Sequence, residues 1–221
     1  MEETKNENSV SVVEQKNEEK LVKKKEWLDT QIMNQRWKLA QIYANSQCVP
    51  SKFQGKPNDC YVAIEIANEI NKSLLFVMNA LDIIKGKPSW TGQGCISLIN
   101  SSKKFEDDLD FIFNGEIGSD DWCCVAYAKK KSTGKVCYSE PISIKMAKAE
   151  GWYQKDGSKW RTFPGQMMRY RSASFFARVY CPEVLLGLQT TEEIEDVEGR
   201  DFSRNKAKSD LTDLIKKQTE G

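Results

Sequence analysis

The sequence predicts an α+β fold, with helices and antiparallel strands following one another along the chain. Three features point to it. Apolar residues recur at helical spacing before Ala44, between Asn58 and Ile70, and again after Pro164. Two alternating runs, 122–130 and 136–144, flank Ser132-Thr133-Gly134-Lys135, a hairpin signal. Between these regions lie short strand-like and helix-like segments bounded by glycine and proline.

Each element has its own local reason. Residues 1–20 are rich in Glu, Lys and Asn and poor in aromatics, so they read as a disordered acidic tail. A helix is expected from Leu21 to Ala44, on a broken stripe of Leu28, Ile32, Leu39, Ile42 and Tyr43. Pro50 and Gly55–Pro57 mark a loop. Asn58 or Asp59 then caps a helix to Ile70, with Val62, Ile66 and Ile70 as its apolar stripe, and Ser73 caps a further turn through Met78. Leu81–Ile84 reads as a strand, Gly86-Lys87-Pro88 as a turn and Trp90–Asn100 as a helix. Gly92 and Gly94 weaken that helix, because each glycine costs about 1 kcal/mol there.

Leu109–Phe113 alternates as a strand does. In the following hairpin, a turn centred on Thr133–Gly134 sets Cys137 opposite Lys130. Met146–Glu150 suits a short helix. Pro164 opens the next one, which Pro182 ends. Met168, Ser172, Phe175, Phe176 and Val179 form its apolar side. Arg171, Ser174 and Arg178 share a second face, and Arg169 points elsewhere. Leu185–Leu188 is expected to fold back onto the core. Residues 199–221 read as a flexible polar tail in which Asp210–Lys217 forms one marginal helix.

Composition narrows the chemistry. The chain has 221 residues, enough for one domain with tails, and no apolar run long enough to cross a bilayer. No signal peptide is read at its start, which favours a cytoplasmic protein. The seven cysteines show no metal-ligand spacing and read as reduced core thiols; Cys123 and Cys124 are expected on opposite faces of one strand. Histidine is absent, which removes every Ser-His or Cys-His pair. No catalytic residue, cofactor or metal site is expected.

Net charge is only +1, but its distribution is uneven. Lys145, Lys148, Lys155, Lys159, Arg161, Arg169, Arg171 and Arg178 face only Glu150 and Asp156 in the same stretch. From Glu183 to Glu198 the sign reverses. The basic centre suits a polyanion. Its candidate contacts are Lys159-Trp160-Arg161 before the Pro164 helix, Arg169, Arg171 and Arg178 on it, Lys145 and Lys148 ahead of it, and Lys129 at the hairpin. Lys85, Lys87, Trp90 and Gln93 form a second group around a turn and helix start. Trp90 and Trp160 each have two readings, base stacking or core anchoring. Asp107, Asp108 and Asp110 raise a competing possibility, a metal-dependent nuclease. A scaffolding protein with a basic patch is a third.

Several stretches resemble the RecT family of phage and prophage recombination proteins. They are Gly86-Lys87-Pro88-Ser89-Trp90 with Gln93, Ile142–Trp152, Gly157–Thr162, Met168–Ala173, Tyr180–Glu183 and Gln189–Val197. Their order and spacing carry the likeness, over about Val49 to Val197. The resemblance implies a single-strand annealing domain over 21–198. Its core would be a small antiparallel sheet with a β-hairpin packed on helices, shared with lambda Red beta. It further implies a bacterial-cell protein that binds single-stranded DNA and the annealed duplex intermediate without ATP. It would assemble into a ring or helical filament, with a phage exonuclease or host single-strand-binding protein as a further partner. Arg171-Ser172-Ala173 matches the family's element in the last core helix, and Trp160 the aromatic before it. Thr91-Gly92 departs from the expected serines and predicts a looser helix start.

Overall fold

A computed structural model describes residues 29–195. The expectations for 1–20, for helix before residue 29, and for 199–221 with Asp210–Lys217 lie outside them. The chain divides into two compact units, one ending at Met78 and one beginning at Asn79. No helix among the described residues is long and apolar enough to cross a membrane.

The first unit contains α1 (Thr30–Ala44) and α2 (Pro57–Glu69). Asp29 caps α1, its Oδ1 accepting from the amides of Gln31 at 2.7 Å and Ile32 at 3.4 Å. The expected stripes are not the buried ones. Ala40 and Ala44 on α1, and Cys60, Ala63, Ile64 and Ala67 on α2, are buried. Leu39, Ile42 and Val62 are exposed. Small side chains permit close helix approach, so alanines took the contact that size alone assigned to leucine and isoleucine. Pro57, not Asn58 or Asp59, opens α2, because its missing N–H costs nothing in a first turn. Arg36 Nη1 sits 2.9 Å from both carboxylate oxygens of Glu65, and Trp37 packs 6.2 Å from Tyr61. These rings, with Met33, Asn34 and Asn58, line a shallow groove. Helix α3 (Leu74–Ala80) follows, Ser73 Oγ accepting from the Phe76 amide at 3.2 Å.

The second unit is α+β. Strands β1 (Leu81–Ile84) and β2 (Lys87–Trp90) form a two-stranded antiparallel sheet. The turn is Lys85–Gly86, not Gly86–Pro88, and residues 87–90 are strand rather than turn and helix start. Lys85 at φ 49° and Gly86 at φ 78° supply the two left-handed residues that a tight hairpin of native twist requires.

Helix α4 (Gly92–Ser101) starts tightly, not loosely. Thr91 Oγ1 accepts from the Gly94 amide at 2.9 Å. Its glycines are there for space: a Cβ on Gly92 would lie 2.3 Å from the Tyr170 ring, and one on Gly94 2.8 Å from the Ala80 carbonyl oxygen.

A second antiparallel sheet has the order β3 (Asp110–Asn114), β4 (Cys123–Lys129), β5 (Val136–Tyr138), with β6 (Ile142–Ser143) also on β4. Cys137 pairs with Ala128, two residues from the expected Lys130. Lys130 and Lys135 instead close the turn, Lys130 N–H donating to Lys135 O at 2.9 Å. The returning strand breaks at Ser139–Pro141, where Ser139 Oγ substitutes for backbone by accepting from Ala126 N–H at 2.9 Å.

All the described cysteines are free thiols. Burial pushes Cys124 and Cys181 up to about 11, which keeps both protonated at neutral pH.

Helix α5 (Ile144–Ala149) leads through a loop to α6 (Pro164–Tyr180). Helix α6 packs against β4 and α4, so burial runs around most of its circumference. Met168, Ser172 and Phe176 are fully buried as expected, whereas Val179 is exposed. Ser172 Oγ donates to the Cys124 carbonyl at 3.0 Å. A 3₁₀ turn, Pro182–Leu185, follows, with Leu185 buried. A last helical turn covers 191–195.

Candidate nucleic-acid interface

The basic segment does not act as one unit. Several of its expected contact residues serve the interior. Trp90 is fully buried, its Nε1 donating to the Leu185 carbonyl at 3.0 Å, and its amide donating to Gln189 O at 2.9 Å. Trp160 is buried against Trp152, the ring centroids 5.4 Å apart. Both therefore anchor the core. Arg171 is buried too, its guanidinium 4.1 Å above Trp152 and 5.7 Å from Phe175. Cation–π contacts of this kind are worth about 2 kcal/mol once desolvated.

Arg178 finds a carboxylate. Its Nη2 lies 2.6 Å from Glu193, which also accepts from Ser174 Oγ at 2.7 Å and from Thr190 N–H at 2.8 Å. Burial pushes Glu193 up, but these donors and the nearby guanidinium outweigh it and hold the acid below its ordinary value. The helix holds no acid of its own, and the partner of Arg178 comes from the acidic block that follows it. Other members of that block behave alike. Glu183 pairs with Lys104, Glu195 with Lys155 at 3.6 Å, and Glu192 Oε1 accepts from the Gly92 amide at 3.2 Å. Burial raises the Glu192 acid above its usual range. The first amide of α4 is thus held by the chain's own carboxylate.

Other cations are brought together at the opposite end of α6. Arg169 lies 4.6 Å over the Phe113 ring, and Phe113 packs 5.7 Å from Trp122. Gly165 in the first turn of α6 faces the Trp122 ring, 3.4 Å from where its Cβ would stand, and Arg169 Nη1 is 3.9 Å away. Trp122 is tied to the start of α5 by its carbonyl, which accepts from Ile144 N–H at 3.1 Å. Lys145 is exposed there, and its amide donates to Asp120 O at 2.8 Å. Lys148 Nζ contacts Asp120 Oδ1 at 2.5 Å and lies 5.4 Å from the Tyr153 ring centre. That hydrogen bond to Asp120 raises the Lys148 ammonium above its ordinary value. Arg161 donates Nε and Nη2 to the carbonyls of Tyr153 and Gln154 at 2.8 and 2.7 Å. Lys159 is exposed in the same loop.

This path unites Lys145, Lys148, Lys159, Arg161 and Arg169 with Phe113, Trp122 and Tyr153. Those three rings are half-buried, each packed on the small core of Cys124, Ile142, Ile144, Ala147, Trp152 and Met168 with one side toward solvent. Sequence reading missed them. Phe113 and Trp122 looked like ordinary strand residues, and Tyr153 lay in a loop without pattern. The only available signal was an aromatic at each end of an Asp- and Gly-rich connection.

The remaining candidates lie elsewhere. Lys129 ends β4 at the far side from Trp122, about 20 Å along an extended strand, and pairs with Glu106 at 2.7 Å. Lys85 and Lys87 are exposed around the β1–β2 turn, and Gln93 is exposed in the first turn of α4. Asp107, Asp108 and Asp110 do not converge on a cation site. Asp110 accepts from Tyr127 Oη and from the Phe111 amide, both at 2.8 Å. Among the described residues no group of three or more acids or thiols is placed to hold a metal.

No family model, no curated protein and no solved structure matches this chain.

Proposed function

We propose that this protein binds single-stranded DNA on the surface between α5, the start of β4 and the N-terminal half of α6, and there pairs complementary strands without ATP. One observation carries the reading: exposed cations stand beside half-buried rings in two groups, Arg161, Tyr153 and Lys148, and Arg169, Phe113 and Trp122, which backbone hydrogen bonds from α5 to residues 120 and 122 tie together. Cations neutralise phosphate and release counterions, while rings support bases without regard to sequence. Neutralising both backbones lowers the repulsion that opposes pairing, and base pairing itself then reads the sequence. No hydrolytic group is needed for such a step.

The likeness to RecT proteins supports the same reading and adds assembly into a ring or filament on DNA, with a phage exonuclease or host single-strand-binding protein as a further partner. The small sheet with a hairpin packed on helices is compatible with a RecT-like core. A fluorescence assay with two complementary oligonucleotides, lacking ATP, tests the proposal. Accelerated pairing is expected, together with light scattering from complexes far larger than one chain. Absence of pairing despite tight binding would favour a scaffolding role, and magnesium-dependent loss of labelled DNA would favour a nuclease.

A further inference from the structure

We infer that Phe163, rather than Trp160, is the aromatic that the loop before α6 offers to a base of the bound strand; this rests on the DNA-binding reading above. Phe163 is 61% exposed, more than any other aromatic side chain among the described residues. A single exposed ring is ordinary on a protein surface, so its setting, not its exposure, bears the argument.

Its backbone is fixed, not loose. The Phe163 amide donates to Lys159 O at 2.7 Å, and its carbonyl accepts from the amides of Gln166 and Met167, both at 3.1 Å. Pro164 follows with its restricted φ. Beneath the turn, Trp160 is wedged on Trp152, and Arg161 is tied to the carbonyls of Tyr153 and Gln154. The turn therefore presents Phe163 with little further ordering to lose on binding.

The surroundings name the ligand. The Phe163 amide bonded to the Lys159 carbonyl closes a five-residue turn that also holds Arg161. Lys159 and Arg161 are exposed, and no acidic residue occurs from Gly157 through Pro182. An accessible ring in a segment whose charged residues are all cations fits a polyanion that carries flat apolar faces, which is a single-stranded nucleic acid.

The test is a titration of the full chain with a labelled oligothymidylate over a range of salt concentrations. Phe163→Ala and Phe163→Leu should each weaken binding roughly tenfold and leave the salt slope unchanged, since no charge is removed. Phe163→Trp should bind like the parent. The inference is overturned if Phe163→Leu binds like the parent, because bulk alone would then suffice, or if Phe163→Ala does. It is also overturned if Phe163→Ala loses only co-sedimentation with anionic phospholipid vesicles, which would assign the ring to a lipid surface. A Lys145→Ala, Lys148→Ala, Arg169→Ala chain separates the two readings. If it binds normally while Phe163→Ala does not, the wider surface fails and Phe163 stands. A parent chain that binds no oligothymidylate sinks both.

Discussion

Arg169 and Arg171 leave the same helix two residues apart. The first lies over Phe113, itself only half-buried, on an exposed side of α6. The second is buried over Trp152, and about two turns further on Arg178 is held by Glu193. The N-terminal half of α6 and the loop before it turn cations outward among rings. The inward face, with Arg171, and the last turn, with Arg178, spend the same residue type on internal order. Helix face separates the first two: they stand about 200° apart around the axis, and packing of α6 on β4 and α4 buries Arg171 while leaving Arg169 exposed. A basic run in a sequence is therefore not yet a basic surface.

The sharpest way to break this contrast is at Glu193. Glu193→Ala leaves Ser174, Thr190 N–H and Arg178 without their acceptor, and should cost about 3 kcal/mol, read as a midpoint drop of about 10 °C in thermal unfolding. A loss below about 1 kcal/mol would mean that Arg178 is as available as Arg169. The acid side of the stability curve should follow. Because the folded-state value of Glu193 is lowered, its contribution is present above the ordinary carboxylate range and is lost as pH falls through the lowered value. Glu193→Gln should flatten that loss in urea unfolding measured at a series of pH values.

Next in size is DNA binding itself. Replacing Lys145, Lys148 and Arg169 together by alanine should lower the salt slope of single-strand affinity by about 2, at roughly 0.7 per phosphate contact. Replacing Arg171 and Arg178 should leave the slope unchanged and reduce stability instead. The reverse pattern would exchange the roles of the two groups of cations.

A smaller effect is expected where α6 meets α4. Gly92→Ala drives a methyl into the Tyr170 ring and should cost about 1–3 kcal/mol. Adding Tyr170→Ala should recover part of it, a coupling that urea unfolding of the double-mutant cycle measures. The smallest effect is at Asp120, the carboxylate set among the exposed lysines. Asp120→Asn frees Lys148 and should tighten single-strand binding about two- to threefold, as exposed ion pairs contribute little. Weaker binding would show that Asp120 positions Lys148 rather than competing for it.

Much of the second unit was legible in its residues. The strands around the hairpin, the Pro164 start, the Pro182 stop and the Leu185 return follow from local preferences that the packing left intact. The first unit was less legible. Its helices meet through Ala40, Ala44, Ala63 and Ala67, and no scale that ranks residues by apolar size selects alanine as the contact. The β1–β2 turn was misplaced by one residue, because Lys85 adopts a positive φ that a lysine rarely takes. The hairpin register was displaced for a related reason: the long Lys130–Lys135 connection closes on backbone bonds that the alternation pattern does not record.

By itself the sequence determined the α+β class, where most elements start and stop, and that a basic stretch precedes an acidic one. These are local or compositional properties, set by φ/ψ preference, periodicity and charge count. Only the tertiary structure decided which cations are spent internally. It laid the acidic block against Arg178, Lys104 and the α4 amide, buried Trp90, Trp160 and Arg171, and gathered Phe113, Trp122 and Tyr153 beside Lys145, Lys148 and Arg169. The pairings of the acidic block join residues from 15 positions apart, Arg178 and Glu193, to 100, Gly92 and Glu192, where neither spacing nor propensity reaches; they are fixed by which faces remain after the core is packed.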